Sequence, residues 1–285
     1  MFEFIQFIFQ FLSTLLIIHI IGFGLFRIIF NVEQLDSKLI RIVRILILLF
    51  FPVLIINYLL VVIIFADEGI AGLFDVFYHE LILSTNEKWI GLISILSIIF
   101  SLIALHLKQN SFIMKFLFVV FSLGILSRFT LSGHFFSEGL LFWSVIALHT
   151  FSVCFWIGSL YPLIISCSDK YKLKPSVIKQ LMNKFGTVAI LFVSMLLITG
   201  SILTYKHLPD FNTITTSFYH IGLLFKLLLV GLLLLIALWH KFYLVKNLID
   251  SKSILQLKKS ITIEWIISFI IIFITTYIVR IIGLN

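Results

Sequence analysis

The residues best suited to chemistry are histidines set within or beside long apolar runs. His149 lies inside LLFWSVIALHTFSVCFWIGSLYP, and Trp156 follows it by seven residues. At 3.6 residues per turn, that spacing puts both on nearly the same helix face. His134 stands just ahead of this run, in the short connector LSGHFFSEG. An imidazole inside a lipid-spanning helix is costly to keep without a use. In its neutral form, with one ring nitrogen fixed by a second donor, it is a good metal ligand. It serves equally well as a hydrogen-bonding tie between helices, or as a haem ligand paired with His19 on another helix. The residues alone leave these three roles open.

Other polar groups extend the set. His19 sits in the first apolar run beside Gly22 and Gly24, which allow close helix approach, so it is expected to face the bundle. His79, His207 and His220 stand in connectors or at helix mouths and are further ligand candidates. Lys226 and Glu264 are the clearest charges inside apolar runs. Their depths, counted from opposite sides, leave roughly 18 Å between backbones at 1.5 Å rise per residue, which argues against a direct pair. Glu264 is expected to meet Lys241, Lys184 or a neighbouring imidazole instead. Met195 is the only thioether placed mid-run, and Tyr219 marks a helix mouth. With so few thioethers, imidazoles and backbone oxygens would do most of any binding of a soft cation. Cys154 and Cys167 fall on one helix about 20 Å apart, too far for a disulfide.

These side chains need elements to hold them. The chain has 285 residues, 61% hydrophobic and only 12% charged, with 32 Phe. A soluble domain needs more polar surface than that, so the chain is an integral membrane protein. Eight apolar segments are long enough to span, at about 4–29, 42–65, 90–107, 112–130, 139–166, 184–205, 219–240 and 261–283. The first lacks a basic leader and a small-residue cleavage motif, and is expected to stay as a spanning helix. Only Lys-Gln-Asn separates the third from the fourth, which suits a tight hairpin. The acidic connector 66–89 contains FDVFYHEL, expected to form an interfacial helix. Sixteen of the 21 Lys and Arg fall in the odd-numbered connectors and their flanks. By the positive-inside rule those connectors are cytoplasmic and both termini lie outside. The net charge of +8 is therefore topology and not a nucleic-acid footprint. No phosphate loop, HExxH, nucleophile elbow or CxxC is present, so no soluble-enzyme chemistry is indicated.

Several features, in order, resemble the CopD family of copper resistance and copper uptake proteins. Lys184-Phe185 opens a helix that ends in Thr199-Gly200. Tyr219 follows, then Lys226 seven residues later, then a basic connector leading to Ser260 and Glu264. Upstream, His149 with Phe155-Trp156-Ile157-Gly158-Ser159-Leu160 is similar to the family's His and Trp-x-Gly-Gly-Leu signature. Ser132-Gly133-His134 is similar to its Ser-Gly-His element. The chain departs from the pattern at His220, at Ser159 and at Trp239-His240-Lys241. The likeness is clearest over 183–284 and extends over 131–285.

The resemblance implies copper handling at a bacterial cytoplasmic membrane, with copper passing between periplasm and cytoplasm. Together with the residue pattern, it leads to one membrane domain over 1–285: an all-α, eight-helix bundle with both termini periplasmic. The expected site is a histidine cluster in the outer half: His149, His134, His19, His220 and His79. Trp156, Lys226, Glu264, Met195 and Tyr219 are expected to line or gate the path. Copper ions, the bilayer and a periplasmic copper carrier are the expected partners, with no nucleic acid and no enzyme activity. Two alternatives stand beside this: a membrane haem protein, and a factor that delivers copper without transporting it.

Overall fold

The computed structural model describes residues 1–107, 111–131, 139–168, 171, 173–207 and 218–279, with the side chains of 104–106, 130–131 and 207 also outside the description. The described residues are helical throughout. The helices are α1 (Phe2–Phe30), α2 (Glu33–Ala66), α3 (Val76–Leu83), α4 (Glu87–His106), α5 (Phe112–Leu131), α6 (Leu140–Ser166), α7 (Pro175–His207), α8 (Phe218–Trp239) and α9 (Ser251–Tyr277). Seven of them are long and apolar enough to cross a membrane. The eighth expected span corresponds to α4, which qualifies only together with α3, and those two are bent by 79° at the break between them.

Three helices begin nine or ten residues earlier than hydropathy suggests, and the first of them, α2, starts at Glu33 and not at 42. α7 starts at Pro175 and not at 184, and α9 starts at Ser251 and not at 261. A hydropathy count stops at lysines, but here Lys252 and Lys259 lie exposed while Ile178, Leu181, Ile254 and Leu257 are buried. Local signals set the starts of α7 and α9. Pro175 fits a first helical turn, where its missing N–H costs nothing. Asp250 accepts from the Ser253 backbone N–H at 2.9 Å, and Ser253 returns the bond in a capping box.

α1 is the central element, packed against α2, α6 and α9. A left-handed Asn31 (φ 48°) closes it and turns the chain into α2. The Arg27 guanidinium then bridges the turn to Asp36, at 2.5 and 3.3 Å. The crossing of α1 with α6 depends on glycine. A Cβ on Gly22 would collide with the Cys154 carbonyl and the Gly158 backbone, and a Cβ on Gly158 would collide with the Ile18 carbonyl. Phe23 stacks on Tyr161 beside this contact, 5.8 Å between ring centres. Pro162 lies within α6, which continues to Ser166. α7 packs chiefly on α6, and α8 chiefly on α9, so both flank the core.

Candidate metal site and a buried polar line

α6 carries His149 and Trp156, and each reaches a different partner helix. The His149 Nδ1 lies 3.1 Å from the Thr199 hydroxyl on α7. That hydroxyl has one proton, and the Met195 carbonyl at 2.6 Å takes it, as is usual for a helical threonine bonding to the residue four back. The Thr199 oxygen must therefore accept from His149 Nδ1–H. In the neutral ring this puts the lone pair on Nε2, and the ring also lies within hydrogen-bonding reach of the Leu196 backbone. Lys226 of α8 lies within electrostatic reach of the same ring. No hydrogen bond or ion pair joins Lys226 to another described residue.

The remaining histidines are placed as follows. His19 is buried, with Nδ1 2.8 Å from the Leu15 carbonyl and Nε2 accepting from the Trp265 indole N–H at 3.0 Å. Both its nitrogens are engaged, so service as a metal or haem ligand requires release of Trp265. His79 is held the same way. Its Nε2 donates to the Leu73 carbonyl at 3.0 Å, and its Nδ1 accepts from Tyr58 at 2.9 Å. His220 lies half-buried at the start of α8, with its ring 5.6 Å from that of Tyr219. His134 and the side chain of His207 lie outside the described residues. Among the described residues, no group of three or more His, Cys, Asp or Glu converges to hold a metal.

A second polar cluster lies further along α6. The Trp156 indole N–H donates to Glu264 Oε1 at 3.0 Å. The other oxygen, Oε2, lies 3.2 Å from His240 Nδ1, and His240 Nε2 lies 2.6 Å from the Ser260 hydroxyl. Glu264 is 2% exposed, midway along α9 and not near its end, because α9 starts so early. Its oxygens face Trp156 and His240, and it forms no pair with Lys226, in keeping with the depth argument. The partner is the neighbouring imidazole among the expected alternatives, and not Lys241 or Lys184. Lys184 instead donates to the Ile29 carbonyl, and the Lys241 stem lies by Gly186.

His240 belongs to no sequence-derived site list. It begins a π-helical turn, His240–Leu244, closed by the Val245 N–H donating to the His240 carbonyl at 2.9 Å. The wider turn changes the angular position of every residue after α8, which a uniform 3.6-residue count does not anticipate. Trp265 as the partner of His19 was also missed, and no spacing signal points to it, since the two are 246 residues apart.

These contacts tie α6 to α7 and α9, so the polar line and the last three helices form one unit. Residues 179–278, spanning most of α7 and all of α8 and α9, match the family model for copper resistance protein D. That stretch is similar to the CopD family over about a third of the chain. The match begins close to the expected 183. His149 and Trp156 lie upstream of it, but their partners Thr199 and Glu264 lie within it. No curated protein and no solved structure matches the chain. The match, together with the membrane-length helices, implies a membrane protein of the copper-resistance kind.

Proposed function

We propose that the protein moves copper between periplasm and cytoplasm through a site centred on His149 Nε2. The supporting observation is the bond from His149 to Thr199, which fixes one ring nitrogen and puts the lone pair on the other. This is the arrangement in which a second partner orients a metal-binding imidazole. In this reading the bundle has eight spans with both termini periplasmic, and sits in a bacterial inner membrane. His134, His220, His19 and His79 are further donors. The first is the expected second ligand, and His19 and His79 join only by giving up present hydrogen bonds. Met195, whose carbonyl holds Thr199, and Tyr219 stand along the same route. A periplasmic carrier would deliver or collect the metal.

The test is copper content of the purified protein and copper flux in reconstituted vesicles. His149→Ala is expected to remove both, and His134→Ala to weaken both. Unchanged copper content and flux in the two variants would overturn the site. Bound copper without flux in the unaltered protein would favour a delivery factor.

A further inference from the structure

The Trp156–Glu264–His240–Ser260 cluster stands apart from the His149–Thr199 bond and joins α6 and α9 to the turn after α8. We propose that His240 and Glu264 form a proton-binding site, and that the proton is the ion coupled to copper movement; the second half rests on the transport reading above.

Three observations carry this. First, Glu264 is a buried carboxylate whose partners are an indole and an imidazole, with no lysine or arginine among the described residues. An uncompensated buried carboxylate is costly, and one added proton on the pair removes its net charge. Second, both protonation states can be satisfied in place. With neutral His240, Nδ1–H donates to Glu264 and the Ser260 hydroxyl donates to Nε2. When the ring takes a proton, Nε2–H donates to the Ser260 oxygen. The Ser260 hydroxyl then turns to the Gln256 carbonyl four residues back, its usual helical acceptor. One hydroxyl rotation accommodates the proton without breaking the Trp156 bond. Third, His240 opens a π turn, an irregularity frequent at functional positions.

The surrounding charges fit a site that exchanges protons with one side. On its own segment stands Lys241, beside Gly186 of α7. Lys184 of α7 is held by the Ile29 carbonyl of α1, and Lys258 of α9 lies near Cys167 at the end of α6. None of these contacts Glu264, so the pair's charge is set by protons. Ser159, three residues beyond Trp156 on α6, is buried with its hydroxyl unpartnered among the described residues, which leaves a polar atom beside the cluster.

The experiment has two arms. Nitrogen NMR of histidine-labelled protein in lipid follows the rings as pH is lowered. One ring, identified by its loss in His240→Gln, is expected to convert reversibly to imidazolium. A His240 ring fixed in one state throughout the folded range overturns the proton site. In copper-loaded vesicles, a difference of about one pH unit is expected to shift the steady-state copper ratio about tenfold if one proton moves per ion. That response is expected to vanish in His240→Gln. An equal response in both proteins overturns the coupling. A protein that moves no copper overturns the transport reading alone, and the ring spectrum still decides the proton site.

Discussion

Two indole N–H groups settle the state of the polar core. Trp156 satisfies one oxygen of Glu264, and Trp265 occupies the acceptor nitrogen of His19. Trp156→Phe keeps the ring volume roughly but leaves a buried carboxylate oxygen without its donor. It is expected to lower stability by about 1–3 kcal/mol, measured by denaturation in detergent. Combined with Glu264→Gln, the losses should not add, because the two groups share one bond. Thr199→Val acts differently. It removes the oxygen that holds the His149 tautomer, and copper affinity is expected to fall about ten- to hundredfold with the fold intact. At the start of α9, the hydrogen bonds from Ser253 hold the Asp250 carboxyl below its usual range. A carboxyl with a depressed folded value stabilises above its unfolded value, and that contribution is lost as pH falls through the folded one. Asp250→Asn should therefore flatten the acid limb of a melting-temperature profile.

Among the helices, the α1–α6 crossing sets everything else in place. His19 and Trp265 lie beside it on α1 and α9, and Trp156 lies two residues before Gly158 on α6. Gly158→Ala adds a methyl group that meets the backbone of α1, which no side-chain rotation can relieve. An expected loss of about 1–3 kcal/mol follows from overpacking. Gly231→Ala on α8 is the matching control. Nothing lies within 4 Å of its added Cβ, and replacing a mid-helix glycine should gain up to about 1 kcal/mol. Thermal denaturation of the two variants side by side checks this contrast.

The bundle as a whole has a basic end, where Arg27, Lys179, Lys184, Lys241 and Lys246 gather, and an opposite end bearing the acidic segment after α2. The proposed orientation puts the basic end in the cytoplasm. Cys154 and Cys167 are buried, so single added cysteines can report on sidedness. Exposed positions Ala71 and Asn247 lie at opposite ends. Ala71→Cys is expected to react with an impermeant maleimide in intact cells, and Asn247→Cys only after lysis. The reverse pattern would invert the bundle and, with it, the side on which His149 meets copper.

Hydropathy and the distribution of lysine and arginine are properties of a line of residues. They were enough to read a helical membrane protein and its spans to within a few residues at most ends, while single residues in order, from Lys184 to Glu264, carried the likeness to one copper family. They also excluded a Lys226–Glu264 pair, because helix rise converts sequence position into depth. What they could not supply was rotation about each helix axis and the identity of the neighbour. The packing of α6 on α1, α7 and α9 decides both, and through them the imidazole that meets Glu264 and the nitrogen of His149 that bonds to Thr199. Those outcomes depend on where separate helices touch, so only the folded bundle contains them.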